Sequence, residues 1–161
     1  MPGYELVDKK ELKEISKIFK NGSVFFRHGF EKLRKNSYKV RDFENKFKKT
    51  FKSNYALAVT SGTAALRVAL STLHLKNTDE VITQCFTFVA TVEAIVESGA
   101  VPVCTEIDKT LNMDPNDLIK KINNRTRAVI VVHMLGVPAE MAKIRKICKR
   151  KKLVLIEDTA W

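Results

Sequence analysis

The sequence predicts an α/β fold, a mostly parallel sheet flanked by helices, and three observations carry that reading. From Tyr55 onward, short apolar runs alternate with segments of helical periodicity. The runs favour β-branched residues, Arg127–His133 (RAVIVVH) most of all. Helical segments begin or end on capping and stop residues, as at Asp114-Pro115 and Gly99. Strands that alternate with helices in this way run parallel, because a tight hairpin can join only antiparallel neighbours.

In chain order, Asp8 followed by Glu11 forms a capping-box pattern ahead of a first helix. Leu12, Ile15 and Phe19 share one face of it, and Gly22 supplies the stop. A linker with Phe25, Phe26 and His28 leads to a second helix whose Val40, Phe43, Phe47 and Phe51 make an apolar stripe, read as core packing. Tyr55–Thr60 reads as a strand and Thr63–His74 as a helix. Glu80–Thr83 is a short strand, Phe88–Ser98 a helix and Val101–Ile107 a strand. After the Asp114-Pro115 helix start come the Arg127–His133 strand, a helix over Pro138–Lys151 and a strand at Leu153–Ile156. In such sheets ligands collect at the carboxyl ends of strands. That rule singles out the turns after Thr60 and Thr83 and the acidic pair after Ile156.

Composition excludes several classes. The chain has 161 residues, enough for one domain or part of a larger one, and 45% of them are hydrophobic, enough for a core. No apolar run approaches the roughly 18 residues that span a bilayer. The N-terminus lacks the basic and apolar regions of a secretory signal, so a soluble, cytoplasmic protein is expected. Cys85, Cys104 and Cys148 form neither a metal pair nor a disulfide framework, and Cys85 and Cys104 lie among apolar residues. The net charge of +11 is concentrated in residues 1–52, which hold 15 basic and 7 acidic residues. These lysines fall on the polar faces of amphipathic helices without aromatic interleaving, so no nucleic-acid partner, no membrane and no metal is expected.

Three features could carry chemistry. Ser61-Gly62-Thr63 precedes a helix, whose first N–H groups and positive end suit a phosphate; alone, it is as readily an ordinary N-cap. Glu157-Asp158 ends a buried strand, where a carboxylate can hold magnesium or pair with the ring nitrogen of a pyridoxal cofactor. The absence of a P-loop removes most support for magnesium. Phe88, in Thr87-Phe88-Val89-Ala90-Thr91, can stack on a flat ring, although taken singly it reads as core.

Together the three suit one ligand, and here the chain resembles the DegT/StrS-type sugar aminotransferases of the aspartate-aminotransferase fold type. The resemblance runs from about Glu5 to the last residue. It is carried by Val40-Arg41-Asp42-Phe43-Glu44, Ala56–Leu66 (ALAVTSGTAAL), Asp79-Glu80-Val81-Ile82, Thr87–Thr91 and Gly99–Val103. Further on it takes in Glu106-Ile107-Asp108, Thr110, Asn112, Asp114, His133, Gly136 and Ile156-Glu157-Asp158.

The resemblance implies the first part of a fold-type-I PLP-transferase large domain. Residues 1–36 would be an N-terminal helix and linker, and 37–161 an incomplete PLP-binding domain. It implies amino transfer from glutamate or glutamine to a keto-sugar, most often nucleotide-linked, with pyridoxal 5′-phosphate as cofactor and a homodimer as the full-length form. Gly62 and Thr63 would hold the cofactor phosphate, Phe88 would stack on the ring and Asp158 would bond the pyridine nitrogen. His133 and Asn112 match family positions as structural residues. Trp161 stands where relatives carry glutamine or histidine against the cofactor. Thr83-Gln84 stands in place of Val-Pro, a change expected to alter only the local turn. The Schiff-base lysine is expected downstream of Trp161, so catalysis by these 161 residues alone is not expected. Alternatives are a non-catalytic remnant or phosphate-binding module, and a sugar dehydratase of the same family in which histidine replaces that lysine.

Overall fold

The capping box at Asp8 and Glu11 forms as read. The Asp8 carboxylate accepts the Lys10 N–H at 2.6 Å, and the Glu11 carboxylate accepts the Asp8 N–H at 2.7 Å, which starts α1 (Lys9–Lys20). The stop at Gly22 has a steric reason as well: its φ is +93°, and a Cβ there would lie 2.7 Å from the Leu33 carbonyl oxygen. The computed structural model describes residues 4–160, which divide into two compact units, one ending at Ala58 and the other starting at Val59.

The first unit holds α1, the short α2 (Glu31–Arg34) and α3 (Lys39–Phe51). The stripe read as core is exposed instead: Phe43 is 57% and Phe51 66% accessible, and Leu12, Ile15 and Phe19 are likewise open. Phe47 packs on Phe43 and Phe51, with ring centroids 6.0 and 4.4 Å apart. Helical periodicity creates an apolar face, but burial needs a second element laid on it, and this unit supplies none for the stripe.

A second difference concerns Tyr55–Thr60, which forms no strand. A strand exists only through a ladder partner, and none pairs with this segment among the described residues. At Ala58 the N–H donates to the Glu44 carboxylate at 2.8 Å, and the carbonyl accepts from Arg27 at 3.3 Å. Glu44 is also ion-paired with Arg27. The Ala58 N–H, then Arg27, hold the Glu44 carboxyl below the usual carboxylate value of 4.5.

The second unit is the expected sheet. β1 (Glu80–Gln84), β2 (Val101–Thr105), β3 (Thr126–Val132) and β4 (Val154–Asp158) lie in the order β2-β1-β3-β4, all parallel. The order reverses between β1 and β3. The β1-to-β2 crossover through α5 (Val89–Glu97) runs opposite to the crossovers through α6 (Pro115–Lys121) and α7 (Met141–Lys151). A right-handed crossover preference therefore puts α5 on one face and α6 and α7 on the other. Alternation along the strands serves both faces. Val81, Ala128 and Ile130 pack with α4 (Gly62–Ser71) and α5, while Ile82, Val129 and Val131 pack with α6 and α7. Edge strand β2 accommodates Pro102, which has no N–H to give.

Cys85 and Cys104, read as small hydrophobes, are exposed, and only Cys148 is buried. Cys104 lies on an edge strand and Cys85 in the turn after β1, where an apolar neighbourhood in sequence does not bring cover in space. β4 reaches further than expected, with Glu157 and Asp158 in register with Val131 and Val132. No helix among the described residues is long and apolar enough to cross a membrane.

Two outcomes follow. Ile130→Ala, in a fully buried central position, should lower unfolding stability by about 2–5 kcal/mol in urea titrations, whereas Phe51→Ala should change it by less than about 0.5 kcal/mol. Because the Glu44 pKa is depressed in the folded state, its tie to Ala58 contributes above about pH 4.5 and is lost as pH falls through the lower folded value. The Ala58 amide resonance should therefore titrate below pH 4.5, and in Glu44→Gln that step should vanish.

Candidate functional site

Two helices begin at the carboxyl edge of the sheet on the same face. α5 follows β1 directly. α4 ends eight residues before β1, so its last turn lies toward the amino edge and its first toward the carboxyl edge; Arg67 of α4 pairs with Glu97 in the last turn of α5.

At the head of α4, Ser61 is extended, its Oγ accepts the Ala64 N–H at 3.1 Å and its carbonyl accepts the Ala65 N–H at 3.0 Å. The N–H groups of Gly62 and Thr63 have no partner among the described residues. A Cβ on Gly62 would meet nothing within 4 Å, so the space above these donors is open. At the head of α5, Phe88 is 64% exposed, which replaces the single-residue reading of it as core. A hydroxyl contact of 3.0 Å between Thr87 and Thr91 fastens that turn.

The parity of β4 decides where Asp158 points. Leu155 packs in the α6/α7 cluster and Ile156 against the α4/α5 cluster. Glu157 then faces α7, where Arg145 binds it at 2.8 Å. Asp158 faces the side of α4 and α5. Its Oδ1 accepts the Ala160 N–H at 3.1 Å, and its Oδ2 makes no bond among the described residues. Gly62, Thr63, Phe88 and Asp158 therefore share one edge and one face of the sheet. Trp161 lies outside the described residues.

His133 and Asn112 are tied into the scaffold. The His133 Nδ1 accepts the Ala139 N–H at 3.1 Å, so the neutral ring carries its proton on Nε2, 3.5 Å from the Glu157 carboxylate. Asn112 is fully buried; its Oδ1 accepts the Met134 N–H at 2.9 Å, and its Nδ2 donates to the Val137 carbonyl at 3.1 Å. Thr110 donates its hydroxyl and its N–H to Asp108, which lowers that carboxyl from its ordinary 3.8 and closes the turn before Asn112.

Gln84 does more than alter a turn. The β1–β3 ladder ends at Ile82 and Val129. Beyond it the buried Gln84 carboxamide takes over: Oε1 accepts the Val132 N–H at 3.2 Å, and Nε2 donates to the carbonyls of Phe86 at 3.1 Å and Leu111 at 3.3 Å. One side chain thus ties the Phe88 turn to the ends of β3 and of the Leu111 loop. The signal in the sequence was a polar amide closing an apolar strand, since a buried amide must be paired. On the α4/α5 side of β1, the buried Thr83 hydroxyl has no partner among the described residues.

A parallel sheet split between β1 and β3, with helix heads and a carboxylate gathered at its carboxyl edge, is the architecture of fold-type-I pyridoxal-phosphate transferases. The structure superimposes on 3-amino-5-hydroxybenzoic acid synthase with a TM-score of 0.86 at 31% identity, over 96% of this chain and 38% of that one. It also matches NtdA from Bacillus subtilis with bound cofactor PMP, with a TM-score of 0.79 at 30% identity, over 95% and 34% of the two chains. The profile of the DegT/DnrJ/EryC1/StrS aminotransferase family matches residues 12–161, and the chain belongs to that family. The GDP-perosamine synthase of Vibrio cholerae is 41% identical over 119 residues, 73% of this chain and 32% of that protein. The chain spans about a third of the length of such relatives.

Replacing Gln84 by Leu leaves the Val132 N–H and two carbonyls without partners, and should cost about 2–4 kcal/mol in thermal or urea unfolding. Hydrogen exchange at the Val132 amide should accelerate with it; unchanged protection there would show that the side chain does not carry the β1–β3 split.

Proposed function

We propose that the chain is the cofactor-facing N-terminal portion of a pyridoxal-phosphate-dependent aminotransferase. The whole protein would move an amino group from glutamate or glutamine to a keto-sugar, most often nucleotide-linked. The observation that carries this reading is the shared edge and face of the free Gly62 and Thr63 N–H groups, the exposed Phe88 ring and the Asp158 carboxylate. The residues suit the group. Two unpaired donors at a helix head, with open space above Gly62, suit a phosphate; an uncovered aromatic suits a flat ring; a carboxylate with a free oxygen suits a ring N–H.

When bound, the cofactor supplies a carrier for the amino group and an electron sink. The chain's own residues bind and orient it. Gly62 and Thr63 anchor the phosphate through backbone donors and the positive end of α4. Phe88 covers one side of the ring and excludes water from it. Asp158 holds a proton at the pyridine nitrogen, which strengthens the sink. In this reading Trp161 counts by its sequence position among the cofactor-binding residues, the lysine that attaches the cofactor follows Trp161, and residues 37–161 belong to one cofactor-binding domain. The resemblance extends the proposal to a cytoplasmic homodimer.

Pyridoxamine 5′-phosphate, which needs no lysine, tests the site through its own fluorescence. The 161-residue chain should bind it saturably, and Asp158→Asn and Phe88→Ala should each weaken binding by about tenfold, equivalent to about 1.4 kcal/mol. Equal affinity in both variants would sink the assignment. So would a pyridoxal 5′-phosphate adduct, fixed by borohydride and mapped to a lysine within residues 1–161.

A further inference from the structure

The first unit contains a cavity of about 110 Å3 between the end of α1, the linker and the start of α3, with Phe25, Phe26, Tyr38, Arg34 and Arg41 in its wall. Arg34 is only 5% exposed, yet no carboxylate pairs with it among the described residues. Its Nη2 donates to the Phe26 carbonyl at 2.6 Å and the His28 carbonyl at 3.5 Å. Among the described residues its Nη1 makes no bond, and its buried Nε has no partner. Arg41 likewise has no hydrogen bond or ion pair among the described residues. Both guanidiniums lie against one ring: their central carbons are 4.6 Å (Arg34) and 4.3 Å (Arg41) from the centroid of Tyr38.

The other cations of the cavity wall are spent, Arg27 on Glu44 and Lys39 on Glu14. The acid beside the two free guanidiniums is Glu31, whose carboxylate accepts the Tyr38 hydroxyl at 3.1 Å. One carboxylate against two guanidiniums leaves a positive excess in a largely apolar cavity. A buried cation with unused donors is costly unless an anion or water completes it. The volume is ample for one ion of phosphate size, or for several waters. Water satisfies donors but not charge. A planar carboxylate is satisfied by one guanidinium fork, whereas a tetrahedral ion presents oxygens to two.

We propose that this cavity binds a small tetrahedral oxyanion, inorganic phosphate or the phosphoryl group of a small metabolite, between Arg34 and Arg41 with Tyr38 as their platform. None of the residues that line it belongs to the phosphate cradle proposed at the head of α4.

The test titrates inorganic phosphate into the 161-residue chain at ionic strength held constant with chloride, and follows the arginine Nε–Hε resonances by NMR. The Arg34 and Arg41 signals, assigned by Arg34→Lys and Arg41→Lys, should shift and saturate. Arg41→Met, at an exposed position that leaves the fold intact, should weaken binding at least tenfold. Gly62→Val, which fills the cradle at α4, and Asp158→Asn should leave these shifts unchanged, so failure here is distinct from failure at the cofactor site. Phenyl phosphate binding more tightly than inorganic phosphate would identify the phosphoryl group of an organic ligand, and equal affinity the free ion. Shifts that never saturate, that acetate or chloride reproduces, or that survive Arg41→Met would overturn the proposal.

Discussion

Where β1 and β3 separate, the sheet loses its own ladder, and the Gln84 carboxamide supplies the missing hydrogen bonds. The split is a consequence of chain direction, because β1 leads to one side and β2 must then cross to the other. A crevice at such a reversal is where a ligand can enter between loops. It also strands backbone donors and acceptors, and a buried carboxamide can answer both kinds at once, with two donors and an acceptor oxygen. Gln84 therefore joins three loops, and Asn112 joins the next by binding Met134 and Val137. With these two amides paired, the carboxyl edge can be open to a ligand and still be rigid.

The opposite requirement governs the strand faces. Both sides of this parallel sheet are covered, so its central positions must be apolar on either face, and polar side chains concentrate at the strand ends. Glu80 at the amino end is held by Arg125 and Asn123, which ties β1 to the turn before β3. At the carboxyl end, strand parity separates two neighbouring carboxylates. Glu157 is engaged by Arg145 and approached by His133, and Asp158 keeps an oxygen free on the α4/α5 side. A one-residue change of register in β4 would exchange these roles.

In the first unit the balance is different. Of its helices only α1 has a side-chain N-cap, the apolar stripes remain exposed, and its tightest contacts are polar: the Arg27–Glu44 pair on Ala58, and Arg34 under the Phe26 and His28 carbonyls. Local signals suffice to make such helices, while the cover of their apolar faces depends on surfaces that the unit does not contain.

The sequence by itself determined the elements whose causes are local. The capping box at Asp8, the glycine stop at Gly22, the proline start at Pro115 and the β-branched run of β3 all stand where they were read, because each depends on residues within a few positions. The candidate positions Gly62, Thr63, Phe88 and Asp158 could be singled out too, as residue types that lie at two helix heads and at the end of β4. Tertiary structure alone decided what depends on a partner. Tyr55–Thr60 has strand composition but no ladder, the α3 phenylalanines have periodicity but no cover, and Cys85 and Cys104 have apolar neighbours but no roof. It also decided that Asp158 and not Glu157 turns toward the helix heads, and that Gln84 spans the split. Pairing, burial and side-chain direction are relations between distant segments, and no window of sequence contains them.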